Sequence, residues 1–386
     1  MKFSSSAITK IVAMYLVVAL VVGFAVGFLV NRYLFAPPKV PETLVVATWG
    51  AQWGEATARI AENFTKLYGN PVQLELHAGA SGVVIPKIAN AWPEVKIDVV
   101  FVSPGVCYQL ADAGYLVPLK REEIPVIDEI KTPLMIHYPD ATDPNDPIYG
   151  IGIYQTGGAM VAWRPSIVDK ILGPNVTINK WSQLLDPRLK GKIMIPYMGM
   201  GVGGILVTTA YQFGGDESNP EPGWTHLKEL AETGNIGAVW TTEADAMRLF
   251  STGETPVAFI FNQWHMFPLA KEGLDIKWVP YLEDTPEKVV PVTADVVAIV
   301  NGPRQEIAKK FVNFFLQAQN NEYYNKMVGA PPSNKNARID PALEPWTLST
   351  DVVENYGRFP DVATRAKKID EWTTRWDTEI APLIGK

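Results

Sequence analysis

Asp295 poses the first chemical question. It is the one charged residue in the run PVTADVVAIVNG, residues 291–302. The apolar, β-branched character from Val292 to Val300 predicts a strand buried on both faces. The turn Asn301-Gly302-Pro303 closes it. A carboxylate inside such a strand is costly unless it is paired or hydrogen-bonded. Two roles fit: a counter-ion for a cation in a cleft, or a strand-end carboxylate accepting backbone hydrogen bonds. The next cluster is Gly199-Met200-Gly201-Val202-Gly203-Gly204, a GxGxxG between a predicted strand and a predicted helix. Glycines let a backbone come close to an anion, and a helix N-terminus attracts one. A dinucleotide site would need an acidic strand end about twenty residues further on, where Phe213 to Glu217 reads instead as a turn. That leaves a ligand-facing loop, with Tyr197 and Gly201 as its candidates, or a plain tight turn.

His77 and His265 fall at predicted strand ends in different lobes, where a metal would bridge them. Only four histidines exist and none has HxxxH or HxH spacing, so surface or core histidines are the favoured reading. There is no G-x-S-x-G, and the lone Cys107 sits in an apolar helix as a small buried hydrophobe. The residues therefore call for no cofactor, no metal and no catalytic set. The rival from another class is a two-lobed enzyme, such as a transferase with an anion site at 199–204.

Which elements would position these residues? A chain of 386 residues exceeds one ordinary core and predicts two α/β lobes. A net charge of -7 argues against nucleic acid as a partner. A single cysteine excludes an internal disulfide framework. The chain's twelve tryptophans are many for its length, and a surplus of aromatics can line a ligand cleft. Residues 11–30 form an uninterrupted run without charge, long enough to span a bilayer. Lys2 and Lys10 precede it and Arg32 and Lys39 follow, which favours the N-terminus inside and the bulk of the chain outside. A cleaved signal peptide is the alternative. The run is long for one, and Leu34-Phe35-Ala36 is a poor cleavage site. No cysteine follows to carry a lipid. The expected order is residues 1–10 cytoplasmic, 11–35 a membrane anchor, and 36–42 a stiff proline-rich linker.

From Thr43 the pattern alternates strand and helix, which implies a parallel sheet with right-handed crossovers. Predicted strands end at Trp49-Gly50, at His77 just ahead of Ser81, and at Ser103. A glycine-rich run from Tyr149 to Trp163, centred on Tyr154, crosses to a second lobe. There a strand from Val257 to Phe261 leads to Asn262 and Trp264. The stretch around Asp295 returns. Lobe 1 is expected over 43–153 and 294–325, and lobe 2 over 154–293. The helices of 326–386 carry many charges and fit neither lobe from sequence alone.

Four stretches carry a resemblance. They are Asp98-Val99-Val100-Phe101, Ala113-Gly114-Tyr115-Leu116-Val117-Pro118-Leu119, the run from Tyr149, and Trp181-Ser182-Gln183-Leu184-Leu185-Asp186-Pro187-Arg188-Leu189-Lys190-Gly191-Lys192-Ile193. Together they resemble the extracellular solute-binding proteins of ABC importers, in the branch that holds spermidine/putrescine, ferric-iron and thiamine binders. The resemblance runs to about Asp340. It implies a type II periplasmic-binding-protein-like α/β fold: two lobes with mostly parallel sheets joined by a hinge. It also implies a monomer that closes on a small polar ligand and delivers it to an ABC permease. Polyamine binders place a tryptophan where this chain has Trp49, another in the run matching Ile260-Phe261-Asn262, and an aspartate at Asp295. This implies a polyamine or other small cation, with a metal ion or small anion as the alternative ligand. Trp264 and His265 stand where the iron binders carry tyrosines, which argues against iron. Thr293 replaces a stacking tryptophan, and the glycine turn replaces an acidic residue.

Overall fold

The computed structural model describes residues 22–23, 42–77, 80–131 and 134–385. The chain divides into two compact units, Met1–Glu42 and Thr43–Lys386. Of the first, Val22 and Gly23 are helical; the rest of the expected anchor lies outside the described residues. Among the described residues no helix is long and apolar enough to cross a membrane.

The second unit begins with strand β1 (Leu44–Trp49), helix α1 (Ala51–Tyr68), β2 (Val72–His77), β3 (Val99–Val102), α2 (Pro104–Asp112), β4 (Met135–His137) and β5 (Ile148–Thr156). It continues through β6 (Gly158–Trp163), β7 (Ile193–Pro196), α3 (Gly204–Gln212), β8 (Ile236–Trp240), α4 (Glu243–Thr252), β9 (Val257–Asn262), α5 (Gln263–Lys271) and β10 (Lys277–Val279). The last elements used below are β11 (Val290–Pro291), β12 (Thr293–Ile299), α6 (Gln305–Leu316), α7 (Ala318–Val328), β13 (Gly357–Arg358) and α8 (Val362–Glu379). One lobe holds a six-stranded sheet in the order β2-β1-β3-β12-β5-β4, and the other a five-stranded sheet in the order β10-β6-β9-β7-β8.

The expectation of mostly parallel sheets needs correction, because both are mixed. β1 pairs in parallel with β2 and β3, but β12 runs antiparallel to both β3 and β5. In the second sheet β7 is parallel to β8 and β9, whereas β6 is antiparallel to β9 and β10. The reason is the crossings. β5 leaves the first sheet at Thr156 and β6 enters the second at Gly158, so that only Gly157 lies between them. Its φ of +155° suits glycine, and a Cβ there would come within 2.5 Å of Leu348. β12 brings the chain back, and a returning strand enters the sheet in the opposite sense to β3.

The apolar face of α1 explains the first core. Ile60 and Phe64 point inward, and Phe64 meets Phe311 of α6 edge-on at 5.3 Å. Each fully buried large side chain of this kind contributes about 2–3 kcal/mol. Asp98, ahead of β3, is buried and accepts from the Val45 amide at 2.8 Å and from Arg304 at 2.8 Å. It thereby ties β1, β3 and the turn after β12 together, which gives a structural reason for that aspartate. Cys107 is buried on α2 in the same lobe, and burial raises its thiol far out of the reactive range.

The C-terminal helices divide. α6 and α7 pack on the first lobe through Phe311, Phe315 and Tyr324. α8 reaches both lobes. Its Val362 and Ala366 pack in the cluster around Cys107 and Tyr108, while its Trp372 and Trp376 pack in the core of the second lobe. Gln109 donates to the Ala366 carbonyl at 3.1 Å, and Arg375 pairs with Glu221.

Candidate functional site

The carboxyl ends of strands from both sheets converge on one cavity of about 200 Å³. Strand carboxyl ends are where ligands bind in open α/β sheets. The first lobe contributes Trp49 at the end of β1, with Ser81, and Ser103 beyond β3. The second contributes Gly201, Asn262 and Trp264. Tyr154 and Asp295, on the crossing strands, line it between the lobes.

Asp295 sits directly opposite Tyr154 in the β12–β5 register, which shifts between Asp295 and Val296. Such an irregularity re-aims a side chain. The Tyr154 hydroxyl donates to Asp295 Oδ2 at 2.7 Å and accepts from Trp53 Nε1 at 3.1 Å. The carboxylate therefore has one neutral donor, and no cation pairs with it among the described residues. It is half-buried and lines the cavity. Burial pushes the carboxyl up from 3.8 to about 7; the Tyr154 hydrogen bond works against this rise, and the charge of Glu243 adds to it. Tyr154 is held above its ordinary value, by burial first and by Asp295 next, so it remains a donor.

Aromatic rings wall this end of the cavity. Trp49 and Trp53 lie 6.4 Å apart, Trp53 meets Trp264 edge-on at 6.3 Å, and Trp264 lies 5.7 Å from Tyr154. The Trp53–Trp264 contact spans the lobes, from α1 to α5. Ring faces beside a carboxylate suit a cationic group.

Three expected residues take other positions. A Cβ added to Gly50 would meet nothing within 4 Å, and this glycine stands outside the cavity lining. Tyr197 stands outside it too, packing toward the second core and touching Gly199. Phe261 is fully buried, stacked on His265 at 4.4 Å. The cause is Ile260, whose φ is +65°. A β-branched residue in the left-handed region is strained. It breaks the alternation of β9: Phe261 joins the face of Ala258 instead of that of Val257 and Phe259. Ile260 lines the cavity in its place.

The glycine turn is close to the ligand space and also braced from behind. Gly201 and Gly204 line the cavity. Arg365 of α8 donates to the Val202 carbonyl at 2.9 Å and to the Gly201 carbonyl. A Cβ on Gly203 would lie 2.7 Å from Trp372. Across the cleft, a Cβ on Gly105 would lie 2.8 Å from Val202, so the first turn of α2 and the glycine turn already touch.

The two histidines do not come together in the cavity. His265 is fully buried; its Nδ1 accepts from the Asn262 amide at 3.2 Å, and its Nε2 faces Glu243. His77 is pulled down to about 4, mainly by burial. Among the described residues no group of three or more acidic, histidine or cysteine side chains is arranged to hold a metal.

Sequence reading missed Glu243, Trp53, Trp240 and Arg365, all of which line the cavity. Trp240 and Glu243 had a usable signal, since Trp240 ends β8 as Trp49 ends β1 and Glu243 lies just beyond it. Arg365 had none.

Two α/β lobes offer strand ends to one partly open cavity, an arrangement suited to holding a small solute between them. The family model of bacterial extracellular solute-binding proteins matches residues 37–350, and the chain belongs to that family. Its members capture a small ligand for an ABC importer; they are binding proteins, and nothing in the comparisons supports the transferase reading. Comparison by sequence with curated proteins finds no match. Solved structures share the fold. An ABC transporter protein from Clostridium perfringens is 23% identical, with a TM-score of 0.66, and covers 87% of this chain and 99% of that one. AfuA, a periplasmic binding protein from Actinobacillus pleuropneumoniae with fructose-6-phosphate bound, is 20% identical, with a TM-score of 0.68 and coverage of 89% and 99%. PotD, the spermidine/putrescine ABC transporter substrate-binding protein of Streptococcus pneumoniae, is 17% identical, with a TM-score of 0.64 and coverage of 89% and 98%.

Proposed function

We propose that the protein captures a small organic cation, of the polyamine kind or similar, between its lobes and hands it to the permease of an ABC importer. The observation that carries this reading is Asp295. It is a carboxylate without a cationic partner among the described residues, on the strand that joins the lobes, beside a wall of aromatic rings. Burying such a group is costly, and a ligand ammonium would repay the cost. A cavity of about 200 Å³ has room for roughly a dozen non-hydrogen atoms, at one water-sized probe per atom. The name of the Streptococcus pneumoniae relative, a spermidine/putrescine binder, supports the same class. Contacts from both lobes to one ligand would favour the closed arrangement by differential affinity.

The test is calorimetric titration with spermidine, putrescine and a panel of phosphorylated and carboxylated solutes, together with small-angle scattering of the Thr43–Lys386 unit. A cation should bind and make the unit more compact. Tight binding of an anion, with no response to cations, would replace this reading by the small-anion one. Residues 11–30 complete the proposal as an uncleaved anchor that holds the chain outside the membrane. The native protein should then fractionate with membranes and keep its N-terminus; a soluble form that begins near Pro37 would instead indicate a signal peptide.

A further inference from the structure

Glu243 stands out among the residues that the sequence did not reveal. It opens α4 in the second lobe, lines the cavity, and keeps a quarter of its side chain accessible. Two donors converge on a single oxygen: Trp264 Nε1 at 3.2 Å and His265 Nε2 both meet Oε2. The other nitrogen of His265 accepts from the Asn262 amide, which assigns the ring proton to Nε2 and makes it the donor to Glu243. Oε1 receives no hydrogen bond from the protein among the described residues. The carboxylate is thus clamped through one oxygen while the other is free. No lysine or arginine pairs with it there, and the same is true of Asp295.

The rest of the surroundings contain little to balance two negative charges. Asp295 faces Tyr154 of β5, its one hydroxyl donor, and near it lie the neutral Tyr324 of α7, which makes no hydrogen bond to it, and Glu243 of α4. Arg365 of α8 lines the same cavity, but its donors serve Gly201 and Val202, and the acidic groups acting on it are Glu217 and Asp361. The charge of Glu243 therefore adds to the cost of a charge on Asp295.

We propose that Glu243 is the second counter-ion of the site, so that the ligand's cationic group lies between carboxylates from different lobes. This rests on the cation-binding reading above. It adds a residue, a reason for closure and a coupling. The cation would link Asp295 on the hinge strand to Glu243 on the second lobe, so full affinity needs both lobes in place. Because burial, with Glu243 adding to it, raises the Asp295 carboxyl, an arriving ammonium or guanidinium should release a proton from Asp295 to the solvent.

The experiment is calorimetry on the full-length protein, stripped of any bound solute, with spermidine, putrescine and agmatine. It is run in buffers of different ionisation enthalpy, for the wild type, Glu243→Gln, Glu243→Asp and Asp295→Asn. Binding near pH 6 should release protons, and affinity should fall toward tenfold per pH unit below about 7. Glu243→Gln should weaken binding by at least about thirtyfold and reduce the proton release, and Glu243→Asp should recover part of both. Infrared difference spectra of the wild type give a readout that does not depend on any variant folding. A protonated-carboxyl band should be present without ligand at pH 6 and disappear on adding the bound amine. Unchanged affinity and proton release in Glu243→Gln, or absence of that band, overturns the proposal. If Asp295→Asn then still loses binding, the cation-binding reading survives alone. If none of the three amines binds, or binding ignores both carboxylates, both fall.

Discussion

Replacing Asp295 by asparagine should move stability and binding in opposite directions. In the empty folded protein the carboxyl is raised from 3.8 to about 7, with burial as the main cause. A raised carboxyl means that the folded chain holds this proton more tightly than the unfolded chain does. The contribution to stability is therefore neutral below about pH 4, falls as pH rises through the interval from about 4 to 7, and is a full penalty above it. A rise from 3.8 to about 7 corresponds to at most about 4 kcal/mol. Water in the cavity screens part of this, so about 2–4 kcal/mol is expected at pH 8. Asp295→Asn removes the ionisation and keeps an oxygen that can accept from Tyr154. The unliganded variant should be more stable than the wild type by that amount at pH 8, and equal within about 1 kcal/mol near pH 4. Urea unfolding at both pH values, after removal of bound solute, measures the difference, and other titrating groups cancel between the two proteins. The same substitution should weaken cation binding by about 2–5 kcal/mol, or roughly thirty- to several-thousand-fold. A variant less stable than the wild type by the same margin at both pH values would refute the claim that Asp295 is strained by its own charge. Stability sacrificed at a binding site is a common trade-off.

Two further outcomes follow from the same geometry. Trp49→Ala removes a ring from the cation-facing wall but no charge, so titration should show a loss of about 0.5–2 kcal/mol, smaller than that of Asp295→Asn. Gly105→Ala places a methyl 2.8 Å from Val202 across the lobes. Such overpacking typically costs about 1–3 kcal/mol. Because the two turns already touch in this structure, the melting temperature without ligand should fall by a matching margin as well as the affinity, and an unchanged melting temperature would refute that contact.

Part of the cavity lining is legible in the sequence. Trp49, Ser103 and Trp264 were identified because they follow apolar strands, and in an α/β sheet the carboxyl end of a strand faces the cleft. Asp295 was legible as a charge in a run that otherwise belongs in a core. The strand and helix order of the first lobe came from periodicity, which needs only local sequence.

What the tertiary structure decided is non-local. The direction of β12 and β6 in their sheets depends on which lobe the chain returns from, and the mixed pairing follows from that. The resemblance to polyamine binders implies Phe261 as a ligand residue, but one left-handed residue, Ile260, turns Phe261 into the core, which the local run does not reveal. Glu243 becomes part of the site only where α4 is brought beside Trp264 and His265. Arg365, more than 160 residues from the carbonyls it holds, joins the cavity wall because α8 packs on both lobes. Hydrophobic pattern dictates which face of an element is buried. It carries no information about which distant element buries it, and that is where the charge balance of this cavity is set.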